Sequence, residues 1–444
     1  MKVLFLSTSD SGGGAALAAY RLHKELLKKQ LNCQMLVAEK FTQDSSVLTL
    51  HPWLIKILRP LVCRLDTLLM KIFQTPTNNT YGSVGWQGLP VIRKVKKINP
   101  DIIQLNWVCG GFLSISSIAK LGALGNPVVW RLSDMWPFSS IEHYVGNSTL
   151  FKEGYFNFDL SGMVWRQKLK AWKKIQNLTI VAPSQWLAQC AKESVLFKDR
   201  PIHVIPTGVN INKFIPSSNK MDLRKELGLP QNKKLLLFGA IRPTSDARKG
   251  YFVLEKTLSI LKEKLFFSNS ELVIFGDEGD KGFQNMGFSS IVSDLRPTLS
   301  PTHRALSLAP PARIPAVHAP ANPPVHHFGK IDSEDLLIKI YTSCDAFVAP
   351  SLEENLANTV LEAMACGLPT VAFHIGGMPD MIEHKKNGYL ARPFEPEDLA
   401  NGIQFVLENQ TLSFEAREKI ETQFSMDSQA KQYIALYEKL LLRS

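Results

Sequence analysis

The sequence predicts an α/β protein built from two doubly wound domains, each with a parallel sheet. Three observations carry this. The chain has 444 residues, more than one ordinary core holds and enough for two domains of about 200 residues each. Residues 2–7 form an apolar run that passes through the glycines Gly12, Gly13 and Gly14 into a helical pattern over about 15–29. Strand, glycine turn and helix are the opening unit of such a domain. The same unit restarts in the second half, where the apolar run 234–238 leads through Gly239 and a polar turn into another helical pattern.

Composition narrows the class. Apolar content of 45% and charged content of 20% describe a globular protein. No apolar run approaches the roughly 20 residues that cross a bilayer. The opening apolar run is too short for a secretory leader. Six cysteines are scattered without a C-x-x-C pair, which argues for a reducing compartment and against a disulfide framework or a zinc site. A cytoplasmic protein is expected. The net charge of +11 implies an anionic partner. No basic stripe with interleaved aromatics supports nucleic acid, so a sugar nucleotide or an anionic membrane surface is the better expectation.

In chain order, a second strand is expected at 34–38. Residues 52–73 follow, apolar and basic, with Lys56, Arg59, Arg64 and Lys71 against a single Asp66. The segment suits two helices broken at Pro60. It reads either as a membrane-surface helix or as a core-facing helical hairpin, the second slightly preferred. Strands are expected around 98–107 and at 128–132. The latter ends in Ser133 and Asp134, at the strand end where ligands bind in parallel sheets. That makes Asp134, and His143 beyond it, site candidates, though a surface loop is an equal reading for His143. A helix over 163–175, a strand at 178–182 and a turn at 203–210 complete the first domain. In the second, Arg242, Arg248 and Lys249 follow the first strand and suit a diphosphate. The proline- and alanine-rich stretch 289–324 is read as an extended or disordered insertion.

The most informative stretch is 350–381. It reads as strand end, polar loop, helix, stop, strand and Gly376-Gly377 loop. Glu354 and Glu362 lie eight positions apart around a helix start that Asn355 or Asn358 could cap. A helix N-terminus suits phosphate, and carboxylates beside it suit sugar hydroxyls.

These residues together resemble family 4 (GT4) retaining glycosyltransferases, whose E-x7-E signature matches Glu354 and Glu362. Thr207-Gly208-Val209-Asn210 with Phe214, and Lys249-Gly250, match other landmarks. The opening glycine segment and 130–138 look like the bacterial exopolysaccharide and colanic acid branch. The resemblance implies a GT-B fold: two Rossmann-like domains facing across a cleft, and a last helix crossing back to the first. It implies an acceptor domain at 1–206, a donor domain at 207–425 carrying the insertion 289–324, and a returning helix at 426–444. It further implies transfer from a UDP- or GDP-sugar to a saccharide or lipid-linked acceptor, with no cofactor and no metal. Glu354, Asp134 and Lys249 would be the catalytic group. Gly13, Gly14, Arg242, Arg248, Lys249, Glu354, Asn355, Leu356, Asn358, Glu362, Gly376 and Gly377 would bind donor. The sequence departs from the family where Ala240 replaces an arginine, where Ser133 replaces a histidine, in the absence of cysteines over 139–145, and in the insertion. Competing readings are a hydrolysing epimerase on the same fold, or a scaffold that binds without transferring.

Overall fold

The structure, a computed structural model, describes residues 1–73, 82–146, 148–243, 245–263, 269–276, 324–409 and 411–443. Two sheets, both parallel throughout, form its frame. The first contains β1 (Lys2–Ser9), β2 (Asn32–Glu39), β3 (Val47–Thr49), β4 (Ile102–Leu105), β5 (Val128–Arg131), β6 (Leu178–Ala182) and β7 (Ile202–Val204), in the order β3-β2-β1-β4-β5-β6-β7. The second contains β8 (Lys234–Gly239), β9 (Ser270–Phe275), β10 (Val325–His327), β11 (Ala346–Ala349), β12 (Thr370–Phe373) and β13 (Gly388–Ala391), in the order β10-β9-β8-β11-β12-β13. In each sheet the order reverses beside the first strand, and ligands of such folds bind at that reversal. Strands buried on both faces read as continuous apolar runs, which is why β4, β5, β6, β11 and β12 were legible as short unbroken stretches.

Two expectations change here. Residues 52–73 form one helix, α2 (Pro52–Phe73; α1 is Gly14–Lys28), with Pro60 inside it, rather than a broken pair. Pro60 and Lys56 are both exposed. The carbonyl that loses its partner at a proline therefore faces water, which lowers the cost of the missing bond. Nor is α2 simply core-facing. Ile55, Leu58, Leu69 and Met70 pack on the first core, but Ile57, Leu61, Leu65, Leu68 and Ile72 stand 40–63% exposed along one stripe. The insertion 289–324 lies outside the described residues except for Pro324, whose carbonyl accepts from Leu272 N at 3.1 Å.

The last helix, Met426–Leu441, starts beside the second domain and packs on the first. Its Ala430, Tyr433, Leu436 and Tyr437 share a core with Val3, Phe5, Leu26, Met35, Val129 and Val181. The chain crosses between the domains twice, and the crossings touch: Val209 N donates to Phe424 O at 2.8 Å, and Met426 N to Val209 O at 3.1 Å. A Cβ on Gly208 would lie 2.6 Å from Met426 Cα, so only glycine allows this approach.

That shared core also buries His23, between Cys33 Sγ (3.1 Å) and Ser46 Oγ (2.8 Å). Burial pulls its pKa down from 6.5 to about 4. Between those values the unfolded chain takes up a proton that the folded chain refuses. Stability is therefore full above pH 6.5 and is lost as pH falls towards 4, by about 3 kcal/mol at most. Urea unfolding at pH 7.5, 5.5 and 4.5 should show this decline, and His23→Gln should flatten it. An identical slope in the variant would remove His23 as the cause.

Candidate active site

The site forms where the C-terminal ends of the two sheets face each other. After β11, residues 350–357 form a loop that leads into the helix Asn358–Ala365. The loop is held by close backbone packing. A Cβ on Gly376 would lie 1.8 Å from Glu354 O, and one on Gly377 2.0 Å from Asn355 O. The Gly376-Gly377 pair thus lets two loops lie in contact and fixes the course of residues 354–355. On the other side, Gly250 (φ +71°) lets the turn Ala247–Lys249 abut the same loop, since a Cβ there would meet Pro350 O at 1.8 Å. Leu352 N donates to Arg248 O at 2.7 Å.

This packing brings Lys249 and Glu354 together, Nζ to Oε2 at 2.7 Å. Both side chains are part-buried, so the pair is shielded but still reachable. Arg248 is held by Asp246 at 2.6 Å, and its guanidinium lies 5.6 Å from the Tyr144 ring of the first domain. Burial, with Glu354 next in effect, pushes the Tyr144 phenol well above its usual range. Arg242 stands apart: it is exposed, in a left-handed conformation (φ +54°).

Glu362 is the deeper carboxylate. It is 3% exposed, and it accepts from Arg21 Nη1 at 2.6 Å and from Tyr341 OH at 3.1 Å. Burial raises its pKa, while the Arg21 and Tyr341 bonds act in the opposite direction. The expected helix cap is not found. The helix is preceded by Ala357, with no side-chain cap. Asn355 is occupied elsewhere: its Oδ1 accepts from Ser184 Oγ at 2.7 Å and its Nδ2 donates to Ser133 O at 3.3 Å, both in the first domain. Asn358 begins the helix and donates to Gly14 O at 2.9 Å. Leu356 is buried in the second core. Gly13 borders open space, as a Cβ there would meet nothing within 4 Å.

Asp134 and His143 are brought together, but not as a free acid and a surface loop. Asp134 accepts from His143 Nδ1 (2.6 Å), Trp107 Nε1 (2.9 Å) and Trp136 N (3.0 Å). His143 is 1% exposed, and its Nε2 meets Ser83 Oγ at 3.0 Å. A carboxylate with three protein donors fastens the loop that carries Tyr144 and Gly146. Gly146 N in turn donates to Glu353 Oε1 across the cleft at 3.0 Å. Asp134, which the resemblance names as catalytic, thus also fastens this loop, with three of its roughly four acceptor sites engaged by protein donors.

Sequence reasoning missed Arg21, Tyr144, Ser184 and Tyr341. Arg21 alone left a local signal, lying seven residues after Gly14 and so on the same face of α1. Among the described residues, no three His, Cys, Asp or Glu side chains gather as a metal site.

With this geometry in view, residues 317–424 match the family described as Glycosyl transferases group 1. The chain is 27% identical over 243 residues to an uncharacterized glycosyltransferase of Methanocaldococcus jannaschii, covering 53% of each protein. It is 28% identical over 247 residues to the mannosylfructose-phosphate synthase of Agrobacterium fabrum, covering 54% of this chain and 48% of that one. It thus spans about half the length of the curated relatives it matches. The crystal structure of Anabaena HepE in complex with UDP and glucose superposes with a TM-score of 0.61 at 19% identity, covering 99% of both chains. Residues 317–424 are thus similar to the glycosyl transferases group 1 family, and the chain around them has the two-domain GT-B fold.

Proposed function

We propose that this protein is a retaining glycosyltransferase that moves a sugar from a UDP- or GDP-sugar to a saccharide or lipid-linked acceptor, in the cytoplasm and without a metal. The observation that carries the reading is the Lys249–Glu354 pair, held at the sheet reversal. Lys249, with Arg248 behind it, supplies the positive charge that a diphosphate leaving group needs as the glycosidic bond breaks. Glu354 is freed from Lys249 by that diphosphate and accepts hydroxyls of the donor sugar. Glu362 accepts from the ribose. Gly13, with open space before it, admits the diphosphate or the acceptor from the first domain.

A panel of UDP- and GDP-sugars, followed by saturation-transfer NMR, tests this. Binding of at least one donor is expected, with transfer of its sugar to an added saccharide or lipid-linked acceptor. No binding across the panel would overturn the reading. Nucleotide release with an altered free sugar, and no acceptor needed, would assign the epimerase chemistry instead.

The acceptor end is proposed to work at the inner face of a membrane, in surface polysaccharide synthesis. No helix among the described residues is long and apolar enough to cross a bilayer. α2 instead offers its exposed stripe of Ile57, Leu61, Leu65, Leu68 and Ile72, with exposed Lys56, Arg64 and Lys71 beside it. Asp66 turns inward to accept from Val84 N at 3.2 Å. Such a face suits anionic headgroups over an apolar layer. The full chain should sediment with vesicles containing phosphatidylglycerol and not with phosphatidylcholine alone, and Leu61→Glu with Leu68→Glu should abolish this. Equal recovery in the supernatant with both vesicles would refute the contact.

A further inference from the structure

Arg21 joins the two domains through a largely buried guanidinium. It lies on α1, in the first domain, yet both of its ion-pair partners belong to the second. Nη1 bonds Glu362 Oε1 at 2.6 Å, and Nη2 bonds Glu334 Oε1 at 2.8 Å. The guanidinium also lies 5.5 Å from the Phe214 ring. Its side chain is 11% exposed and that of Glu362 is 4% exposed. Lys213 pairs with the other oxygen of Glu334 at 2.8 Å, so among the described residues Glu334 has a second cation and Glu362 does not. Glu362 therefore depends for its counter-charge on a residue carried by the opposite domain. A buried carboxylate without its cation is costly to keep ionised.

We propose that Arg21 is a positioning residue for the nucleotide, supplied by the first domain: it aims the Glu362 carboxylate and keeps it a strong acceptor only while the cleft is closed. The inference rests on the reading of Glu362 as the ribose acceptor. Closure then does more than bring groups near. When α1 moves away, Glu362 loses its counter-ion and takes up a proton more readily, and a protonated carboxyl is a weaker partner for a diol. When α1 returns, the carboxylate is restored, so nucleotide binding and closure favour each other. Arg21 touches no reacting atom in this scheme.

The titration of Glu362 is set by few groups. Arg21 faces it from α1. Tyr341 and Glu334 face it from the helix Glu334–Ser343. Cys366 lies on its own side, with Arg417 of the helix Leu412–Gln423 near that thiol. Arg21 is the cation in direct contact, and its removal leaves burial and Glu334 to push the carboxyl further up.

The test is titration calorimetry with UDP and GDP from pH 6 to 9, on the full chain and on Arg21→Met, Arg21→Lys and Glu362→Gln. The wild-type profile is the reference for each variant, since the terminal phosphate of either nucleotide itself titrates near pH 6. Arg21→Met should lose roughly tenfold or more at pH 6 and recover as pH rises and Glu362 ionises. Arg21→Lys keeps a charge but not the two-pronged geometry, and should lie between. Glu362→Gln should be weak at every pH. Wild-type affinity in Arg21→Met at all pH would overturn the proposal, and so would a uniform loss with an unchanged pH profile, which marks a merely structural role. If the wild type binds neither nucleotide, the donor-site reading itself fails, and that outcome is distinct from wild-type binding with an inert Arg21→Met.

Discussion

Lys249→Ala should lower kcat/KM for the donor by roughly 100- to 1,000-fold while leaving the fold intact. The expected loss follows from the work proposed for this ammonium. It faces negative charge that grows on the leaving diphosphate, in a cleft shielded from water, and removing one such preorganised group typically costs this much. Stability should barely change. The Lys249–Glu354 pair is only part-buried, and pairs of that kind contribute about 1 kcal/mol or less. Steady-state kinetics and thermal unfolding on the same preparation separate the two effects. An activity within threefold of wild type would assign the diphosphate to another cation, for which exposed Arg242 is the first choice.

Glu362→Ala should act on binding and on stability together. The loss of a carboxylate–diol contact predicts donor affinity weaker by roughly 10- to 100-fold. The same change leaves Arg21 buried with Glu334 as its remaining acidic partner, and breaking such a pair from one side costs about 3 kcal/mol. Glu354→Ala offers the contrast, because its partner Lys249 keeps access to water and stability should hold. Calorimetric binding and urea unfolding decide this. A Glu362→Ala protein of unchanged stability and unchanged affinity would remove both roles.

The parts of this arrangement legible in the sequence are those set by neighbours along the chain. The apolar runs of β1, β5, β6 and β11 and the glycine turns after β1 and β8 announce two parallel-sheet domains, because burial on both faces writes itself into consecutive residues. The spacing of Glu354 and Glu362 is visible for the same reason. What was not legible depends on how one domain faces the other. Arg21 and Glu362 are 341 positions apart, and Ser184 and Asn355 are 171 apart. The expectation that Asn355 caps a helix fails on this point, since a local bond was displaced by one from the opposite domain. His143 was ambiguous because Asp134, Trp107 and Ser83 converge on it only after three segments meet. Pro60 suggested a break because local rules do not show that the freed carbonyl lies on the wet side of α2.

The helix Met426–Leu441 gives the first domain an unusual position during synthesis. Its strands are made well before this helix, but the shared core around Val3, Phe5, Val129 and Val181 also needs Ala430, Tyr433, Leu436 and Tyr437. The first domain therefore cannot finish this core until residues 430–437 have been made, and the second domain, complete within its own span, has the chance to fold before it. A nascent chain stalled short of residue 430 would carry an apolar face with nothing of its own to cover it, a surface that chaperones bind and proteases find. Loss of residues 430–437 should thus be read at the level of protein abundance before it is read in the chemistry of the cleft.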